Sequence, residues 1–232
     1  LAFFLKDNSE LVGEWKVLDI NLSAEAIRNC PTNYYLVEKS DIRRVIKKRN
    51  TFASKADCGS ALIVTGSYGM MGAAILSASG AARSGAGKIT VHSPQCGYNV
   101  MQCSVPEAMF IADKHEIIPT DFTPKHNYNA IAIGPGIGTH EYTIQALETF
   151  LKNSQQPVIL DADALNCIAK RPSLLSCLPS FSILTPHEGE FKRFGGTIGE
   201  DRMASAAYFS REWNSILLLK GHRTCITDGQ NG

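Results

Sequence analysis

The residues of this chain best suited to chemistry stand in short polar or glycine-rich stretches, each directly after an apolar run. Asp161 and Asp163 flank Ala162, and Asn166 follows one helical turn later. Two carboxylates so placed could hold a magnesium ion through water or bond sugar hydroxyls; alternatively, Asp163 caps the next helix. Thr185-Pro-His-Glu188 fits a capping box, with Thr185 as N-cap, Pro186 at the first helical position and Glu188 at the third. That pattern leaves His187 unexplained. At the second helical position it would face the ligand side and could donate one hydrogen bond. Glu190 lies on the same first turn. Lys220, Gly221, His222, Arg223 and Thr224 form a turn between two apolar runs. Gly221 opens the backbone there, while Lys220 and Arg223 bring positive charge. Amides and cations so arranged suit a nucleotide phosphate, and equally an ordinary basic hairpin.

Two glycine loops complete the set. Gly66, Gly69 and Gly72 follow the apolar run Ala61–Val64 and precede a helix of almost only small residues, Ala73 to Gly85. Glycines permit positive φ and close approach, and the helix start offers unbonded N–H groups to an anion or a polar ligand edge. The other reading is a crossover helix packed tightly on a sheet. The spacing is neither a dinucleotide fingerprint nor a P-loop, since Gly87-Lys88 is followed by Ile89 where Ser or Thr is needed. Gly134-Pro-Gly-Ile-Gly138 ends a second apolar run and could be a flat ligand's floor or simply a turn.

The elements that must position these groups are strands alternating with helices. Strands are predicted at 61–64, 88–92, 107–112, 129–134, 157–160, 181–184, 216–220 and 224–227, the last pair forming a hairpin. Helices are predicted from Ala73, at 142–151 (Ile144, Leu147 and Leu151 at helical spacing), from Ala164, after Leu184 and at 204–213. Residues 113–128 read as a loop. The alternation predicts an α/β fold with a mostly parallel sheet and helices on both faces. In such sheets ligands bind beyond the C-terminal strand ends, where all the polar and glycine-rich stretches fall. Residues 1 to about 35 differ: Leu1–Leu5 and Trp15–Ile20 read as two strands without a sheet of their own. A helix at 41–50 carries Arg43, Arg44, Lys47, Lys48 and Arg49, a cluster that without interleaved aromatics reads as a solvated face.

At 44% hydrophobic and 19% charged residues the chain can bury a full core, and a net charge of +1 gives no footprint for nucleic acid or a membrane surface. No apolar run is long enough to span a membrane. The seven cysteines are odd in number, scattered and without a C-x-x-C pair, which argues for free thiols in a reducing, cytoplasmic setting and against a zinc site.

Taken together, Gly66-Ser-x-Gly-Met-x-Gly72-Ala-Ala, Arg83-Ser-Gly-Ala-Gly87, Gly134-Pro-Gly-x-Gly138, Asp161-Ala-Asp-Ala-Leu-Asn166, Thr185-Pro-His-x-x-Glu190 and Leu219-Lys-Gly-x-x-Thr224 resemble one family. It is the ADP/ATP-dependent NAD(P)H-hydrate dehydratases, a branch of the ribokinase-like fold. The resemblance runs from about Tyr35 onward, so residues 35–232 are expected to form the dehydratase domain. Residues 1–34 resemble the closing segment of the NAD(P)H-hydrate epimerase domain that precedes it in the bifunctional enzyme.

The resemblance implies repair of NADHX and NADPHX, the S epimer being the substrate. ADP or ATP, with Mg2+, phosphorylates the added hydroxyl, and loss of phosphate restores the double bond. It implies substrate contacts at Ala73, Gly136 and His187, nucleotide contacts along Lys220–Thr224, and a homo-oligomer. The alternatives are another ribokinase-like small-molecule kinase and a non-catalytic nucleotide-binding module. Two features depart from the family pattern. Lys55-Ala56 stands where Lys-Gly is usual, and the Gly-Thr/Ser-Gly-Asp motif with the expected base would lie beyond Gly232. The first residue is Leu and the last dipeptides are turn formers, so the chain reads as a piece of a longer one with its C-terminal part missing. As written it is expected to lack dehydratase activity.

Overall fold

The computed structural model describes residues 10–14, 16–46, 48–199 and 201–230. The expected strand at Leu1–Leu5 lies outside them, as do Trp15 and Lys47. Residues 16–20 carry no regular structure and are exposed, so the second expected strand does not form. An isolated strand leaves its N–H and C=O groups unpaired, and among the described residues no strand pairs with this segment. Two short helices follow, α1 (Ala24–Asn29) and α2 (Lys39–Val45), neither with a buried residue. Helix α2 is shorter than expected. A capping box between Glu38 and Asp41 starts it, and Ile46 ends it in extended conformation. Arg43 and Arg44 lie on its exposed surface, as the solvated-face reading has it.

The chain then lays down an eight-stranded sheet. Its centre is β1 (Ser60–Val64), paired in parallel with β2 (Lys88–Ser93) on one side and β4 (Ala130–Ile133) on the other. Strand β3 (Met109–Ala112) extends one edge. Beyond β4 come β5 (Ile159–Leu160), β6 (Ile183–Leu184), β7 (Ile216–Leu219) and the antiparallel β8 (Cys225–Thr227), giving the order β3-β2-β1-β4-β5-β6-β7-β8. The direction of growth reverses between β1 and β4, the position beyond whose strand ends ligands bind in sheets of this kind.

Strand alternation sends Leu62 and Val64 to one face and Ile63 to the other. Helices α3 (Met71–Arg83) and α4 (Tyr98–Ser104) cover the Ile63 face, with Ala74, Ala78 and Met101 in a core shared with Ile89 and Val91. The sequence reading contains no helix at α4. Helices α5 (Glu141–Asn153), α6 (Asp163–Lys170), α7 (Glu188–Arg193) and α8 (Arg202–Glu212) serve the larger core around Leu62 and Val64. Ile144, Leu147 and Leu151 are all buried there, so the helical spacing marks the inner face of α5. Small residues on α3 let it lie close to the sheet, with Ala74 and Ala78 fully buried. Among the described residues no helix is long and apolar enough to cross a membrane.

Candidate functional site

The loops after β1 and β4 are clasped together across the crevice. Thr65 donates through Oγ1 to the Pro135 carbonyl (2.6 Å), Gly66 N–H donates to the same oxygen (2.9 Å), and Ser67 Oγ donates to the Gly136 carbonyl (2.8 Å). Gly66 and Gly136 both have positive φ, 80° and 71°. A Cβ on Gly136 would lie 2.9 Å from the Cβ of Ala73 and 3.0 Å from the Met70 carbonyl, so the second loop rests directly on the start of α3. Ala73 and Gly136 are therefore neighbours. Helix α3 has no side-chain cap at its N-terminus. Gly72, by contrast, is an ordinary helical residue.

From this clasp a line of contacts runs across the next strand ends. A Cβ on Gly134 would lie 1.8 Å from the Asp161 carbonyl oxygen, so only glycine lets the ends of β4 and β5 come this close. Gly138 N–H donates to Asp163 Oδ2 (3.0 Å), and Asn166 Nδ2 donates to Asp163 Oδ1 (3.1 Å). Asp163 thus holds the glycine loop instead of capping α6, whose N-cap is Ala162 in a rare backbone conformation (φ 49°, ψ −117°). Asp161 turns the other way and accepts a hydrogen bond from Lys220 Nζ at 2.8 Å. Lys220 N–H in turn donates to the Pro186 carbonyl (2.8 Å), and Lys220 forms an isolated parallel bridge with His187.

His187, not Thr185, is the N-cap of the helix after β6. Its Nδ1 accepts from the N–H groups of Gly189 (3.0 Å) and Glu190 (3.2 Å), and Glu190 Oε2 accepts from His187 N–H (2.9 Å). Thr185 is drawn back instead to the Leu160 carbonyl. The expected capping box between Thr185 and Glu188 does not form; one between His187 and Glu190 forms two residues later, because the chain stays extended through Pro186 to reach Lys220. With Nδ1 accepting, a neutral imidazole here carries its proton on Nε2, which lies 3.6 Å from Glu190 Oε2.

The turn after β7 exposes Gly221, His222, Arg223 and Thr224. A Cβ on Gly221 would lie 2.9 Å from Arg202 Nη2. Its missing side chain makes room for a guanidinium that sequence reading overlooked. The available signal was an arginine in the first turn of a helix, against the helix dipole. A second overlooked group is Asp113, buried just past β3. Its carboxylate accepts from His115 N–H (2.9 Å), Thr120 N–H (2.7 Å), Thr120 Oγ1 (2.7 Å) and Asp121 N–H (2.9 Å), with His92 Nε2 at 3.5 Å. Burial pushes this carboxyl up, but the nearby His92 ring and the hydrogen bonds from His115 and Thr120 outweigh it and hold it well below the usual carboxylate range. The loop it organises bonds the glycine-loop tip, Tyr68 N–H to the Ile117 carbonyl (2.9 Å).

Among the described residues no group of three or more His, Cys, Asp or Glu is placed to hold a metal ion. No two of the seven cysteines are joined. Cys167, buried under Gly138, has its thiol pushed up to about 12 by burial and by the charge of Asp163.

A parallel sheet with a reversal between β1 and β4, and a site built along its strand ends, defines an α/β protein of ribokinase-like architecture. A ribokinase-like superfamily protein from Enterococcus faecalis superposes with a TM-score of 0.69 at 24% identity, over 84% of this chain and 71% of that one. The family profile for NAD(P)H-hydrate dehydratase matches residues 61–232, and the chain belongs to that family. The ADP/ATP-dependent NAD(P)H-hydrate dehydratase of Bacillus subtilis, crystallised with ATP and Mg2+, superposes with a TM-score of 0.72 at 32% identity, over 86% of this chain and 72% of that one. The bifunctional NAD(P)H-hydrate repair enzyme Nnr of Moorella thermoacetica is 32% identical over 99% of this chain, which spans 46% of that enzyme's length.

Proposed function

We propose that this chain forms the substrate crevice and nucleotide turn of an enzyme that dehydrates (S)-NAD(P)HX to NAD(P)H at the expense of a nucleotide. The observation that carries this reading is the unbroken line of contacts from Ala73 and Gly136, through Asp163 and Asp161, to Lys220 and His187. Its two ends have different chemistry. At the β1–β4 end, Ala73 and the backbone of Gly136 would meet the substrate's ring, while His187, its Nε2 3.6 Å from Glu190 Oε2, stands with Lys220 at the β6–β7 end. At the β7 end, Lys220 and the Gly221–Thr224 turn offer positive charge and amides to phosphates.

In the reaction so read, the nucleotide's terminal phosphoryl group passes to the added hydroxyl. The C–O bond then breaks with its electron pair leaving on phosphate, a neighbouring carbon gives up a proton to water, and the electrons of that C–H bond complete the double bond. The protein's share is positioning and electrostatic stabilisation. Lys220 is aimed by Asp161, which holds the ammonium at the strand ends instead of letting it swing into solvent. Asp161 and Asp163 each already serve a protein partner, so the donor set fits a Mg2+ carried largely by the nucleotide's own oxygens rather than a protein cage. When bound, that ion would neutralise charge on the phosphates.

The remaining elements of the reading are a homo-oligomer, a cytoplasmic setting supported by the seven unpaired thiols, and residues 1–34 as the end of an epimerase domain. The near-complete alignment with the bifunctional enzyme supports the last of these. Calorimetry with ATP or ADP in Mg2+, and separately with NADPH, tests the two halves without requiring turnover. Binding of both is expected, with Lys220→Ala weakening the nucleotide about tenfold or more and leaving NADPH nearly unaffected. Failure of the wild-type chain to bind any adenine nucleotide would overturn the reading. A phosphorylated end product from a small alcohol in place of NADPH would favour the kinase alternative.

A further inference from the structure

The turn after β7 presents three of its carbonyls to one side chain. Arg202 is the first residue of α8, whose start is fixed by Asp201 accepting from the N–H groups of Met203 (2.8 Å) and Ala204 (3.0 Å). From there its Nη2 donates to the carbonyls of Leu219 (2.8 Å) and Lys220 (3.1 Å), and its Nη1 to that of Arg223 (3.1 Å). Its Nε donates to Glu188 Oε1 (2.9 Å), the residue next to His187. The guanidinium occupies the space a side chain at 221 would need.

In a planar trans peptide the N–H points away from its carbonyl. Gathering the carbonyls of Leu219, Lys220 and Arg223 on one cation therefore turns the N–H groups of Lys220, Gly221 and Thr224 away from the guanidinium. The first of these donates to the Pro186 carbonyl just past β6 (2.8 Å), so the neighbouring strand end already holds it. We propose that Arg202 is the positioning residue of the nucleotide turn. It dictates which way the peptide groups of residues 220–224 face, and through Glu188 it couples that orientation to the helix capped by His187. The inference rests on the reading of Lys220–Thr224 as the nucleotide turn. A lysine at 202 cannot replace the arginine, because one ammonium lacks the planar fork that reaches three carbonyls and a carboxylate together.

The test compares the wild-type chain with Arg202→Ala, Arg202→Lys, Gly221→Ala and the Arg202→Ala/Gly221→Ala double variant. Amide hydrogen exchange across residues 219–225 is measured without ligand, and Mg-ATP affinity by calorimetry. In Arg202→Ala, exchange in the turn is expected to rise about tenfold or more while β1 and β2 stay protected, and ATP to bind about tenfold or more weaker. Arg202→Lys should resemble it. Gly221→Ala should weaken binding by displacing the guanidinium. In the double variant that methyl has nothing to displace, so its affinity should match Arg202→Ala within about twofold.

Unchanged exchange in Arg202→Ala, full affinity in Arg202→Lys, or additive losses in the double variant would each overturn the proposal. Should the wild-type chain bind no nucleotide, the reading of the turn falls, and the exchange measurement still decides whether Arg202 sets it. If Arg202→Ala fails to fold, Arg202→Lys and Gly221→Ala carry the same comparison.

Discussion

At the scale of single residues, Asp113 makes the sharpest statement about acid sensitivity. Its carboxylate is buried and accepts four hydrogen bonds from its own loop. Replacing it with asparagine keeps the shape but removes the charge those donors face, at an expected cost of about 1.5–3 kcal/mol at neutral pH by chemical denaturation. The sign of the pH effect follows from the lowered pKa. The folded state binds a proton here less readily than the unfolded chain, so the stabilisation is complete above the unfolded value of about 3.9 and is lost as the pH falls through the folded one. Stability curves of the wild type and Asp113→Asn should therefore converge in acid. Parallel curves down to the lowest pH would show that the charge of Asp113 does not matter.

Residue identity alone could not show this group, or Arg202. Asp113 was one polar residue in a polar loop, and its partner His92 lies on a strand. Asp161 and Lys220 were both visible as candidates, yet their ion pair joins positions 59 residues apart. What a single sequence displays is the local consequence of burial and turn chemistry. Which side chains meet across the sheet depends on strand order, and nothing in the local pattern encodes that.

At the scale of elements, the glycine loops were legible as strand-end turns because positive φ and close approach restrict the residue type. Which partner demanded each glycine was not. Gly134 yields to the Asp161 carbonyl, Gly136 to Ala73 and Met70, and Gly221 to a guanidinium. The helix after β6 shows the same limit. Thr185, Pro186 and Glu188 satisfy every local rule for a cap, but the bridge between His187 and Lys220 holds the chain extended two residues longer. Tertiary pairing there overrides a local preference worth about 1 kcal/mol.

Gly136→Ala tests the clasp. Its methyl would meet Ala73 at 2.9 Å in a backbone of φ 71°, and strain plus overpacking together predict a loss of about 2–6 kcal/mol. Thermal melting measures the loss, and NADPH affinity should fall with it. A variant with wild-type melting and binding would mean that the two loops do not need to touch.

At the scale of the molecule, the sheet and the preceding segment are unequal parts. Helices α1 and α2 bury nothing, and the hydrogen bond from Arg49 to the Gly85 carbonyl is a surface contact. A chain beginning at Ser54 is expected to melt within about 2–4 °C of the full one, the worth of about 1 kcal/mol at this size, and to keep its nucleotide affinity. A larger drop would assign those helices a packing role beyond what their exposure suggests. The alternation of strands and helices was legible throughout because each element buries a continuous apolar face, whereas α4 is short and contributes a single buried residue, Met101.

The clasp between the β1 and β4 loops also orders events in time. Its hydrogen bond from Thr65 to Pro135 spans 70 residues, and β2, α4 and β3 must all be threaded through the interval. Closing so long a loop costs entropy before any contact offsets it, so parallel pairing of this kind forms slowly. During refolding, the β1–α3–β2 unit can assemble while the crevice is still missing its far wall. Ligand-binding competence should therefore appear as a late kinetic event, after most of the helical signal has returned.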